Sequence, residues 1–236
     1  MSEGSNATGR DMTTTDRSGH RSARCVGTAL VTSLLWSAGA MAQINMPPGY
    51  PETVEGYDRR EVAMLPRYCL STIGFGMANV AGSQDRAANE RWAAYFGPSY
   101  IHLHHYCWGM MKTNRAVLLA RDATTRSFYL RDANREFDYV IERVPDNFVL
   151  LPEILTKRAE NLARLGRGEV GVLDLERAIS LKPDYWPPYA ALSDHYKASG
   201  DTAKAREVLE DGLAKSPDAA GLQRRLTELG GAPKRP

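Results

Sequence analysis

The sequence predicts an all-α protein: a helical hairpin repeat, an α-solenoid in miniature, preceded by a small helical N-terminal region. Three observations predict it. No stretch of the 236 residues shows the sustained apolar alternation or β-branched density of a strand. Apolar residues instead recur at three- and four-residue spacing, the period of one helix face. Landmark residues in the second half also return at a fixed interval: Gly166 and Gly200 are 34 apart, and so are Pro183 and Pro217.

Residues 1–42 read as an export signal. A polar leader carrying Arg10, Arg17, Arg21 and Arg24 precedes the apolar run Cys25–Ala38. Ala40-Met41-Ala42 then supplies the small-x-small pattern of a processing site, with Gln43 as the new N-terminus. The leader is long, which makes Met12 an alternative start to Met1. The apolar run is short and rich in Ser, Thr and Gly, which argues against a membrane anchor. No second apolar run follows. The expected location is outside the cytoplasm, periplasmic for a bacterial protein and otherwise secreted.

The rest of the chain holds 26 basic and 25 acidic residues. That balance offers no surplus of positive charge to neutralise a phosphate backbone, so nucleic acid is not expected as a partner.

Residues 43–57 are rich in Pro and Gly and predict an extended linker. Residues 58–147 then carry four expected helices. Asp58 to Phe75 has Val62, Leu65, Cys69, Leu70 and Ile73 on its apolar face. Ala87 to Phe96 presents Trp92, Tyr95 and Phe96, and ends at Gly97-Pro98. Ser99 is placed to cap a third helix running to about Ala120. Thr125 to Val144 forms the fourth, stopped by Pro145.

Residues 152–230 contain the repeat. In the copy Trp186–Ala219, the residues Tyr189, Leu192, Ser193, Tyr196, Gly200, Ala205, Leu209, Gly212 and Pro217 stand at the signature positions. In Pro152–Tyr185 they are Leu155, Ala159, Leu162, Gly166, Gly171, Leu175, Ala178 and Pro183. This pattern resembles the tetratricopeptide repeat family over residues 152–219. The earlier copy departs with Arg158 at the usual Leu position and Gly171 at the first packing Ala. Asn114–Asn147 is a further, degenerate candidate. Gly221 to Leu229 is amphipathic and fits the capping helix such arrays need.

The resemblance implies antiparallel helix pairs and an inner surface that grips a peptide or protein surface. On this chain the inner positions are Glu153, Thr156, Lys157, Glu160, Arg164, Ala190, Asp194 and Lys197. They lack the paired basic-and-Asn pattern of the family's carboxylate-gripping members. The expected partner is another protein or envelope macromolecule, and no cofactor is implied. The expected function is that of an exported interaction module, a scaffold or adaptor.

The densest chemistry lies in Tyr100–Gly109 (YIHLHHYCWG). His102, His104, His105 and Cys107 raise a metal-handling or enzymatic N-terminal domain as the second reading. At 100° per residue His102 and His105 share one side, and His104 and Cys107 another. A site would therefore draw on His104, Cys107 and Cys69. The competing reading is a Cys69–Cys107 disulfide, favoured by export and by two cysteines remaining after processing. Aromatic residues Trp92, Tyr95, Phe96, Tyr100, Tyr106 and Trp108 read as core, and the charges of Arg121–Asp138 as a solvated helix face. No nucleophile elbow, paired metalloprotease histidines or phosphate loop occurs, so no enzymatic activity is expected. Self-association of stacked arrays is the third reading.

Overall fold

The computed structural model describes residues 59–77 and 80–230. The export signal and the linker lie outside the described residues. Within them every regular element is helical. Eleven α-helices follow in chain order: α1 (Arg59–Ala63), α2 (Arg67–Leu70), α3 (Ile73–Met77), α4 (Arg86–Phe96), α5 (Leu103–Asn114), α6 (Ala123–Ile141), α7 (Leu151–Arg164), α8 (Gly168–Leu181), α9 (Pro187–Ala198), α10 (Thr202–Lys215) and α11 (Ala220–Glu228). Among the described residues no helix is long and apolar enough to cross a membrane.

The second half follows its pattern closely. α7 packs on α8, α9 on α10, and α11 closes the end against α9 and α10. Gly166 and Gly200 sit at φ +73° and +88°, where a side chain is penalised and glycine is not. Around each, two backbone bonds close the preceding helix. Arg167 N–H donates to Leu162 O at 2.8 Å and Gly166 N–H to Ala163 O at 3.0 Å. Asp201 N–H donates to Tyr196 O at 2.9 Å and Gly200 N–H to Lys197 O at 3.2 Å. This is the Schellman closure of a helix C-terminus. Asp201 then caps α10 by accepting from Lys204 N–H.

Both departures from the repeat pattern have a structural reason. A Cβ on Gly171 would lie 3.1 Å from the Ala159 backbone, so its absence lets α8 approach α7 closely. Arg158 reaches out of α7 to two carboxylates, Asp174 on α8 at 2.6 Å and Asp138 on α6 at 2.7 Å. A leucine there would pack; the arginine instead ties three helices through ion pairs.

The first half departs from expectation in three places. The helix expected over Asp58–Phe75 is, among the described residues, three short ones: Pro66, which lacks an N–H and holds an extended backbone (ψ 144°), separates the first two, and α2 ends again at Ser71 before α3 begins. Ser99 caps nothing: Gly97 to His102 winds as a 3₁₀ turn that runs into α5, and Ser99 is buried. The third helix does run to about Ala120: past Asn114, α5 continues without a break into Arg115–Leu119, one wide helical turn closed by Ala120 N–H on Arg115 O at 2.9 Å. The window 114–147 consequently holds no helix pair. It contains that wide turn and α6, whose hairpin partner is α5, earlier in the chain. Asp122 caps α6 by accepting from Thr125 N–H.

Among the described residues the buried apolar side chains form two large cores and a small third one around Ala116, Tyr129 and Leu130. The first gathers Tyr68, Phe75, Phe96, Leu103, Tyr106, Met111 and Phe137 with Leu151, Ile154 and Leu155 of α7. The second lies among α7 to α11 around Tyr189, Leu209 and Leu222. Cys69 of α2 and Cys107 of α5 are joined by a disulfide in the first core, their Cα atoms 5.7 Å apart and both residues fully buried.

Candidate interaction groove

α7 and α9 run side by side in the same direction. Glu153, early in α7, lies near Tyr185, just before α9: burial raises the pKa of the Tyr185 hydroxyl and the Glu153 charge adds to it. At the opposite end, His195 of α9 touches the Glu169 carboxylate beyond α7 at 3.4 Å. α11 crosses beside α9, with Gly221 against the ring of Trp186 and the Arg225 guanidinium on Asp194 at 2.9 Å. Between them opens a cleft of about 880 Å³.

Of the inner positions expected from sequence, Glu153, Lys157, Glu160, Arg164, Ala190 and Asp194 line this cleft. Two do not. Thr156 is turned into the packed side of α7, 1% exposed, with its hydroxyl donating to Pro152 O at 2.7 Å. Lys197 is exposed but off the stripe. The α9 residues that line the cleft descend through Ala190, Ala191, Asp194 and His195 to Ala198. Sequence reasoning missed Tyr185, Trp186, His195, Arg224 and Arg225. The first two stand in the turn before α9, outside the helix-face pattern. The basic pair sits on the capping helix, whose opposite face is fixed by Leu222 and Leu226, a legible amphipathic signal.

The cleft's charges largely face each other. Glu160 stands between Lys157 Nζ at 3.5 Å and Arg164 Nη1 at 3.7 Å. Asp194 is taken by Arg225. Burial raises the pKa of the Tyr185 hydroxyl, and the nearby Glu153 and Glu160 carboxylates raise it further. Exposed pairs of this kind contribute little to stability, so they can be exchanged for partner groups at small cost.

No protein-family model matches the chain. Hsp70-Hsp90 organizing protein of Triticum aestivum, a tetratricopeptide-containing protein, is 32% identical over 97 residues. The match covers 41% of this chain and 16% of that protein. This similarity and the helical architecture agree with the repeat pattern read from the residues.

The histidine segment forms a different arrangement. His105 Nδ1 lies 2.6 Å from Glu136 Oε2, and its ring stacks on Tyr139 with centroids 3.7 Å apart. Lys112 Nζ contacts Asp132 at 2.8 Å and Glu136 at 2.5 Å. Burial opposes the Lys112 charge, but the two carboxylates outweigh it and hold its pKa up. Burial likewise opposes the Glu136 charge, and His105 and Lys112 outweigh that and hold its pKa down. Asp132 and Glu136 therefore correct the expectation that Arg121–Asp138 is a wholly solvated face.

His104 stands edge-on to Trp108, its pKa lowered to about 4 chiefly by burial and then by the His105 charge. His102 packs against Tyr139 instead. The alternative ligand set His104, Cys107 and Cys69 is not available, because both sulfurs are spent on each other. Among the described residues no three His, Cys, Asp or Glu side chains converge on a common point. Of the aromatic residues expected in the core, Phe96, Tyr100 and Tyr106 are buried, whereas Tyr95 is 66% exposed.

Proposed function

We propose that the chain is an exported interaction module whose α7–α9–α11 cleft holds a segment of a partner protein, as a scaffold or adaptor does. The observation that carries this reading is the cleft itself. It is long, open and bordered by exchangeable charges along two parallel helices, with Tyr185 and Trp186 at one end. The wheat relative is named as an organizing protein for two others, which is an adaptor's role. Export is supported by the leader pattern of residues 1–42 and by the Cys69–Cys107 bond, which persists in oxidising compartments. The function so read is binding, with no catalysis assigned.

Affinity capture from the native envelope with the wild-type chain tests the reading. Lys157→Glu with Arg164→Glu should reduce the recovered partners while leaving the fold intact, since groove charges tune association more than stability. Equal recovery by the double variant would remove the cleft from consideration. N-terminal sequencing of the exported protein should begin at Gln43. A mature chain that still carries Cys25 would refute processing after Ala42.

A further inference from the structure

The Glu153 end of the cleft differs in kind from the rest. Glu160, Glu169 and Asp194 each have a basic side chain beside them. Glu153 has none: among the described residues no Lys, Arg or His side chain forms an ion pair with it. One phenol instead donates to its carboxylate, and two more lie near enough to feel its charge. The Tyr106 hydroxyl, wholly buried, donates to Glu153 Oε1 at 2.7 Å. Burial raises the pKa values of Tyr68, Tyr106 and Tyr185, and the Glu153 charge raises each further. Tyr185 and Trp186 continue this aromatic wall into the cleft, Trp186 being 38% exposed.

A half-buried carboxylate that accepts from a buried phenol, lines a cleft together with Tyr185 and Trp186, and has no counter-ion among the described residues is a receptor for positive charge. The carboxylate attracts a cation electrostatically. The π faces attract the same cation through their quadrupoles. Arginine suits the place better than lysine, because its planar guanidinium can pair with the carboxylate edge-on while stacking on an aromatic ring.

We propose that this end of the cleft is an arginine-recognition subsite: Glu153 takes the guanidinium, Tyr185 and Trp186 flank it, and Tyr106 fixes the carboxylate's position. The inference rests on the cleft being the partner-binding surface, and it names the partner's chemistry, an extended segment bearing an arginine. The rest of that segment runs towards Lys157, Glu160 and Arg164.

The test uses the mature chain and a set of capped nonapeptides that differ only at one central residue: arginine, lysine, citrulline, glutamate or leucine. Calorimetry measures affinity, and amide hydrogen exchange locates the contact. The arginine peptide should bind about 10-fold more tightly than its uncharged citrulline counterpart. It should also slow exchange in α7 and α9. Glu153→Gln should abolish that preference. The amide oxygen still accepts from Tyr106, so the fold is preserved and only the charge is lost. Trp186→Ala should weaken the arginine peptide more than the leucine one. If all five peptides protect α7 and α9 equally, the cleft binds peptides and the arginine subsite is overturned. An arginine preference that survives Glu153→Gln overturns it as well. If no peptide protects α7 or α9, the cleft reading and the subsite fall together.

Discussion

Gly200 isolates one physical effect. A Cβ placed there meets nothing within 4 Å, so a substitution costs only the backbone conformation at φ +88°. Gly200→Val should lower stability by about 1 kcal/mol or more, and Gly200→Asn by less, because Asn tolerates the left-handed region. Thermal unfolding of the two variants decides it; equal midpoints would mean the turn is not under this constraint. His104 isolates another. Its pKa in the folded chain is about 4, below the ordinary 6.5 of the unfolded chain. Between these values the unfolded state binds the extra proton, so acidification favours unfolding. The cost is absent above pH 6.5 and fully expressed below pH 4. His104→Gln should narrow the difference in melting temperature between pH 7 and pH 4.5. An unchanged difference would show that His104 gains its proton as readily folded as unfolded.

At the scale of elements, the contrast lies between α7–α11 and α1–α6. The second half was legible because its stops are covalent facts of the residue: glycine where φ is positive, proline after the helix, small residues where helices touch. The first half was less so. Pro66 was readable as a break, yet its effect was hidden by an apolar spacing that continues through it. The wide turn Arg115–Leu119 carries no glycine or proline at all. It presents Val117, Leu118 and Leu119 outward, while Arg115 turns inward to pair with Glu61 of α1 at 2.5 and 2.8 Å. A long-range ion pair of this kind leaves no periodic trace. Nor does the cleft's aromatic end, set by a turn rather than a face. Arg158 joins elements in the same long-range way. Arg158→Leu should cost roughly 1–3 kcal/mol, because it leaves Asp174, 7% exposed, without its counter-charge. Adding Asp174→Leu should recover part of that loss. If the double variant is less stable than the single in chemical denaturation, packing rather than charge governs the position.

For the whole molecule, the bond between Cys69 and Cys107 joins positions 38 apart in sequence and closes a loop that includes α3, α4 and the Gly97–His102 turn. In the chain-entropy picture such a closure contributes about 3–4 kcal/mol. Replacing both cysteines with serine should lower the unfolding free energy by an amount of that order. Mass spectrometry of the native chain should find no free thiol at either position until a reductant is added. Two free thiols in the untreated exported protein would count against the bond.

α7 has one further consequence. It contributes Leu151, Ile154 and Leu155 to the first core and Ala159 to the second, and α8 likewise gives Ala178 to one and Leu175 to the other. Repeat arrays whose units touch only their neighbours can fray from an end, one hairpin at a time. Here the boundary between the halves runs through the interior of two helices, so neither half can melt while the other keeps its own helix pair whole. Cooperativity is thereby written into the placement of four side chains and one alanine pair across a 14-residue hairpin arm. Far-ultraviolet ellipticity and tyrosine-region ellipticity should trace one and the same transition.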